Sequence, residues 1–184
     1  MKKEFTRQEA IDASTKYFNG DQLAGIVFVD KYALKDKNGA IYEKTPTDMH
    51  WRIANELARI ESKYPNPLSA QEIFNLLDKF KYIGPQGSPM AGIGNDLSVS
   101  SISNCFVVHN GVDSYGGILR IDEELVQLMK RRGGVGTDLS HIRYQGALVN
   151  NAARTSSGVV SFMDRYSNST REVAQDGRRK MFFN

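Results

Sequence analysis

The sequence predicts an α/β chain, with a helical first half followed by the opening strand–helix units of a parallel sheet. Three observations predict it. Two helical patterns with good start signals occupy residues 45–80, and a glycine- and proline-rich run from Tyr82 to Asn95 then breaks the pattern. Beyond Ile102 the order is strand, helix, strand, helix, the repeating unit of a fold with parallel strands. Two parallel strands make a poor sheet alone, because such sheets need cover on both faces. The chain therefore reads as the beginning of something larger, divided into a helical domain over 1–92, an α/β segment over 93–179 and a short tail over 180–184.

Composition bounds the function. The 184 residues carry a net charge of only +3, with acids and bases interspersed. That leaves no basic stripe of the kind nucleic acid requires, so no direct DNA binding is expected. The run Arg178-Arg179-Lys180 reads as a solvated tail. Met1-Lys2-Lys3 is followed by Glu4, Arg7, Glu9 and Asp12 where a signal peptide needs apolar residues. The longest apolar run, Ala24 to Val29, is too short for a membrane span. One cysteine cannot close an intrachain disulfide, so a cytoplasmic protein is expected. No metal site is expected.

In chain order, Arg7 to Phe18 reads as a helix, Asn19-Gly20-Asp21 as a turn, and the apolar segment behind it is left unassigned. Asp36-Lys37-Asn38-Gly39 is a turn within a short hairpin or loop. Thr45 caps a helix with Pro46 at its first position and Asp48 three residues on, and Met49, Ile53, Leu57 and Ile60 repeat behind it. Ser69 and Glu72 form a capping box, with Ile73, Leu76, Leu77 and Phe80 as the buried face. His50 and Trp51 read as packing residues without a role. Residues 82–95 should be irregular. Ile102 to Val108 is a strand with Ser103, Cys105 and Val107 on one face. Ile118, Ile121, Leu125 and Leu128 then form a narrow seam suited to packing on another helix. Asp122 to Glu124 lie early and Lys130 to Arg132 late, which complements the helix dipole. Gly133-Gly134 ends that helix, Val135 to Ile142 is a second strand, and Ser156 or Ser157 caps a last helix through Val159, Phe162, Met163 and Tyr166.

Three constellations could carry chemistry. Cys105 is either a small buried hydrophobe or a redox thiol. Gly133-Gly134-Val135-Gly136 is either a plain turn or a place where backbone N–H groups approach an anion, and it is neither a Walker loop nor a dinucleotide fingerprint. Asp113-Ser114 ahead of Tyr115 reads as a helix N-cap, and Lys130 and Arg143 are available as charge-assisted donors.

These motifs, in this order and spacing, resemble the catalytic (large) subunit of ribonucleotide reductase from about Phe28 onward. The resemblance implies a helical domain before a ten-stranded α/β barrel, of which this chain holds only the first units. It implies that Cys105 is half of a redox pair that reduces a ribonucleotide by thiyl-radical chemistry, an oxidoreductase step on a CH or CH2 group with a disulfide as acceptor. It places Ser88, Asn104, Gly133 and Gly134 at the substrate, and Asp113, Ser114, Tyr115, Lys130, Arg143, Asn150 and Asn151 at an allosteric dNTP or ATP effector. The 118–129 helix becomes the homodimer contact, and Val173 to Arg179 the start of the loop linking the two sites. The segments 28–34 and 82–90 are most similar to adenosylcobalamin-dependent members. Tyr115 departs from the aliphatic residue of some members, and Tyr144 stands where proline usually follows the arginine. Implied partners are a thioredoxin- or glutaredoxin-type reductant and either a C-terminal fragment or a radical-generating subunit. With no second cysteine present, the chain is expected to be silent alone. The other readings are a deoxynucleotide-binding and dimerisation module, half of a split enzyme, or a truncation without function.

Overall fold

A computed structural model describes residues 3–109, 111–173 and the backbone of 182–183. The chain divides into two compact units, Met1–Ile102 and Ser103–Asn184.

The first unit is helical. Helices α1 (Arg7–Tyr17), α2 (Gln22–Lys31), α3 (Pro46–Glu61), α4 (Ala70–Leu77) and the short α5 (Gly87–Gly92) follow in order. Start signals set the boundaries. The carboxylate of Asp48 accepts from the Lys44 and Thr45 N–H groups at 2.8 and 2.9 Å, and Glu72 accepts from the Ser69 N–H at 2.8 Å. The apolar segment after Asn19 is helix α2, capped by Asp21, which accepts from the Ala24 N–H at 2.9 Å. Its apolar residues run together rather than recur, so periodicity could not reveal it. It lies close on α1: a Cβ on Gly25 would sit 2.7 Å from Thr15 Oγ1 and 2.9 Å from Thr15 N. The expected turn at Asp36 is present, its carboxylate accepting from the Asn38 and Ala40 N–H groups.

Ala10, Ile11, Phe28, Val29, Met49, Ile53, Ile73 and Leu77 make the core of this unit. Leu76, expected inside, is on the surface, because α4 ends one residue later and cannot carry a wider apolar face inward. His50 is fully buried, edge-on to Phe80 at 4.6 Å, and neither ring nitrogen has a hydrogen-bond partner among the described residues. Trp51 stacks on Phe74 at 4.2 Å. A buried ion pair organises the rest. Arg52 Nε donates to Glu43 Oε1 at 2.6 Å, its other nitrogens donate to the carbonyls of Met90 and Ile93, and Glu43 also accepts from the Leu34 N–H. The expected irregular run thus contains α5, held down by Arg52.

The second unit holds β1 (Cys105–Val108), α6 (Tyr115–Met129), β2 (Gly134–Thr137), α7 (Val159–Val173) and β3 (Phe182–Phe183), with sheet order β1-β2-β3 and parallel pairing throughout. Both long strands are shorter than expected. Cys105 pairs with Gly134 and Val108 with Thr137. Val108, Val135 and Leu139 meet Ile118, Ile121, Leu125 and Met129 of α6 and Tyr166 of α7 on one face of the sheet. Tyr166 is fully buried, and its hydroxyl donates to the Ile118 carbonyl at 2.9 Å. Burial pushes that phenol up to about 12. On the other face Cys105 and Val107 are exposed, Val107 by 85%.

Two expectations for α6 are corrected. The helix starts three residues early, where Ser114 Oγ accepts from the Gly117 N–H, so Asp122 to Glu124 lie mid-helix and do not complement its dipole. The seam Ile118, Ile121 and Leu125 is buried within the unit, at 3%, 2% and 0% exposure. The sheet and α7 already use it, so it cannot pack on a second copy. The outward face carries Leu119, Arg120, Glu123 and Gln127.

Candidate functional site

The head of α6 and the segment before α7 build one cleft. Residues 146–156 double back on themselves: Gly146 N–H donates to the Ser156 carbonyl, Ser156 N–H to Ala147, and Val149 N–H to Arg154. Arg154, at φ +63°, completes the reversal. That fold-back carries Asn150 and Asn151 to face the N-terminus of α6. The open cleft holds about 320 Å3, bordered by Asp113, Ser114 and Tyr115 on one side and by Arg143, Asn150, Asn151 and Thr155 to Ser157 on the other. Phe162 closes one end, edge-on to Tyr115 at 6.0 Å.

Arg143 crosses the cleft. Its Nε donates to Asp113 Oδ2 at 2.5 Å and its Nη1 to the Leu148 carbonyl at 3.0 Å. It is the one cation among the described lining residues. Chemically the cleft offers a guanidinium for an anion, a carboxylate and several hydroxyl and amide groups for a sugar, and two aromatic rings for a flat heterocycle.

Six of the seven residues assigned to an effector therefore share one cleft. Lys130 does not. It caps the far end of α6, about 20 Å away at helical rise. Ser114 Oγ serves as the helix cap. The sequence reading missed Thr155, Ser156, Ser157 and Phe162. The polar run ahead of an amphipathic helix was the available signal for them.

The second group of residues lies on the bare face of the sheet. The Cys105 thiol is exposed, and a Cβ placed on its ladder partner Gly134 would come within 3.8 Å of the sulfur. The sulfur thus lies over a stretch of side-chain-free backbone. Gly134 N–H donates to the half-buried Asn104 carbonyl at 2.7 Å. Gly133 is buried for a packing reason: a Cβ there would lie 2.8 Å from the Phe106 ring and 3.1 Å from the Leu128 carbonyl. The left-handed residue that ends α6 is Arg132, at φ +71°, rather than a glycine. Ser88 is buried at the start of α5 in the other unit. The loop expected from Ala174 to Arg179, and the basic run 178–180, lie outside the described residues.

At the C-terminal ends of β1 and β2 a further set of side chains gathers. His109 and His141 are edge-to-face at 5.3 Å, and His141 Nε2 is 3.9 Å from Asp138 Oδ2. Hydrogen bonds from the Ser140 hydroxyl and N–H hold the Asp138 carboxyl below the usual range. Among the described residues, no three side chains converge as metal ligands.

Comparison with known proteins adds a lineage to this geometry. The profile of the ribonucleotide reductase barrel domain matches residues 103–182, and that of the ribonucleotide reductase all-alpha domain matches residues 19–95. The chain is 27% identical over 169 residues to the ribonucleoside-diphosphate reductase large subunit of Variola virus, covering 92% of this chain and 20% of that protein. It is 30% identical over 152 residues to the subunit alpha of the Helicobacter pylori enzyme, covering 82% and 18% of the two chains. With the large chain from Schizosaccharomyces pombe it shares 32% identity over 112 residues, which is 61% of this chain and 13% of the other. The chain spans a fifth or less of each of these relatives. No helix among the described residues is long and apolar enough to cross a membrane. Two domain profiles of one family, met in sequence order over most of the chain, show that this protein belongs to the ribonucleotide reductase large-subunit family.

Proposed function

We propose that this chain is the effector-binding and thiol-presenting part of a ribonucleoside-diphosphate reductase, an oxidoreductase that makes deoxyribonucleotides. The observation that carries the reading is the cleft at the head of α6, where six residues from three separated segments meet around about 320 Å3. Asp113, Ser114 and Tyr115 would hold the sugar and base of a dNTP or ATP, with Arg143 on the phosphates and Asn150 and Asn151 at the rim. Lys130 would reach such a cleft only from a second copy, since it sits at the other end of its own α6. A homodimer through α6 would use the outward face of Leu119, Arg120, Glu123 and Gln127.

The substrate reading rests on Cys105. As one member of a redox pair, its thiol would lose a proton and share in the two electrons released when two sulfurs join, reducing the ribose carbon. This chain supplies one such sulfur. The mate, the radical and the thioredoxin- or glutaredoxin-type reductant would come from outside these 184 residues. Gly134 lies beside the exposed sulfur, and Asn104, Gly133 and Ser88 would be the further substrate contacts, Ser88 through its Ser-Pro motif. The relatives are named large subunits, large chains or subunit alpha, which favours a smaller radical-generating partner. The adenosylcobalamin route rests on the wording of residues 28–34 and 82–90 alone. None of the described residues is identifiable as a corrin contact.

Equilibrium dialysis of the chain against a panel of deoxynucleoside triphosphates tests the reading. Saturable binding that Arg143→Ala weakens by on the order of tenfold or more is expected. Absence of binding at millimolar concentrations would remove the effector site. Ribonucleotide turnover by this chain alone would contradict the need for a second thiol.

A further inference from the structure

The side chains gathered at the C-terminal ends of β1 and β2 have no part in the nucleotide reading. His109 is the first residue after β1, and His141 stands four residues beyond the end of β2. The two strands are parallel neighbours, with Val108 paired to Thr137. Both imidazoles therefore arrive at the same end of the sheet, the end where open parallel sheets take their ligands. A short turn sets the second ring. Asp138 Oδ1 accepts from the Ser140 N–H at 2.9 Å and from its hydroxyl at 2.5 Å, and Ile142 N–H donates to the Leu139 carbonyl at 3.0 Å. The other Asp138 oxygen lies 3.9 Å from His141 Nε2.

The two ring centres are 5.3 Å apart, with their planes at 80°. Burial does not hold them together, because both residues are exposed, the His141 side chain by 41%. The spacing has a chemical counterpart. A nitrogen-bound imidazole centres its ring about 3.2 Å from a zinc ion, so two of them at a tetrahedral angle lie about 5 Å apart. The other candidate ligands are out of reach. Cys105 precedes His109 by four residues on the same strand, about 13 Å at strand rise, and His50 is fully buried in the other unit.

We propose that His109 and His141 form a two-nitrogen site for a divalent transition-metal ion of the Zn(II) or Cu(II) class, with Asp138 as the outer carboxylate that orients His141. Each ring gives the ion one nitrogen. His141 binds through Nδ1 and turns its Nε2–H to Asp138, an arrangement that fixes the tautomer and makes the ligand more basic. Ser140 holds the carboxylate in place for this role. Among the described residues no third side chain converges on the pair, so water fills the remaining positions and the ion stays exchangeable. Imidazole nitrogens suit Zn(II), Ni(II) and Cu(II), whereas Mg(II), the usual companion of nucleoside triphosphates, takes oxygen ligands in octahedral geometry. The site is therefore distinct from any metal that enters with a nucleotide, and it stands whether or not the cleft binds one.

Calorimetric titration of Zn(II) and of Mg(II) into the 184-residue chain, purified without a histidine tag, is the test, together with Cu(II) electron paramagnetic resonance. Zn(II) should bind with one-to-one stoichiometry and Mg(II) should not compete with it. His109→Ala and His141→Ala should each weaken Zn(II) binding on the order of 100-fold, and Asp138→Asn by about tenfold. Cys105→Ser should leave the affinity unchanged. The Cu(II) spectrum of the wild-type chain should show coupling to two imidazole nitrogens, a readout that needs no variant and so cannot be obscured by a folding defect. Zn(II) binding no tighter than millimolar, a Cu(II) spectrum with fewer than two such nitrogens, or an affinity that survives either histidine substitution would overturn the proposal. Loss of binding in Cys105→Ser would place the ion on the thiol instead and overturn it equally. An Asp138→Asn variant with wild-type affinity would refute the orienting role of that carboxylate.

Discussion

Gly133→Ala separates a packing role for this glycine from a ligand-lining one. A methyl group at this buried position would lie 2.8 and 2.9 Å from two Phe106 ring carbons and 3.1 Å from the Leu128 carbonyl oxygen. The ring is half-buried and must move against its own neighbours to make room, whereas the carbonyl in the last turn of α6 need give only slightly. Forcing a methyl into such a contact costs about 1–3 kcal/mol. Its φ is not left-handed, so alanine also recovers about 0.4–1 kcal/mol by restricting the unfolded chain. The balance is a loss of about 1–2 kcal/mol, or roughly 4–16 °C in the melting of a unit of this size. Thermal melts followed by circular dichroism read it out. In a Phe106→Leu background the same alanine should be close to neutral, because the ring contact is gone and only the milder carbonyl contact remains. An alanine that is neutral in the wild-type chain, or equally costly in both backgrounds, would refute the packing argument. The glycine would then have to be explained by what approaches it from outside.

Two further predictions concern the helical unit. Arg52→Ala should destabilise it by about 3–5 kcal/mol, because Glu43 would be left buried without its cation; denaturant titration measures this, and a loss below about 1 kcal/mol would mean the pair is better hydrated than its burial indicates. His50 should make the unit acid-sensitive. Burial holds its imidazole below the ordinary 6.5, outweighing the pull of Asp78 in the other direction. The folded chain thus binds fewer protons than the unfolded one, so stability is full above 6.5 and falls as pH drops below it. The stability gap between wild type and His50→Leu should change steadily between about pH 7 and 5 in the variant's favour. Parallel pH profiles would show that His50 does not carry the effect.

Local chemistry made much of the fold legible. Asp48 and Glu72 mark helix starts because a carboxylate three residues behind a hydroxyl satisfies exposed N–H groups wherever the helix lies. Cys105 and Val107 share the exposed face because strand alternation is a property of the backbone. What failed was whatever depended on a partner. Helix α2 has no polar stripe, and its Asp21 cap reads equally well as part of a turn, so the segment stays unassigned from sequence. The α6 seam looked like a surface for another copy because its spacing fits any apolar neighbour, and α7 with the sheet came first. Arg52 and Glu43 are nine residues apart, and their burial depends on how α5 closes over them. The cleft was half legible. Family resemblance picked out Asp113, Arg143, Asn150 and Asn151, but the contribution of Ser156, Ser157 and Phe162 follows only from the fold-back of residues 146–156.

Nitrogen-15 amide spectra of the chain, recorded during titration with a deoxynucleoside triphosphate, test the central claim most directly. Saturable shifts should concentrate at 113–117, 143 and 150–157, with the helical unit unmoved. Shifts spread over other surfaces, or none at millimolar ligand, would contradict it.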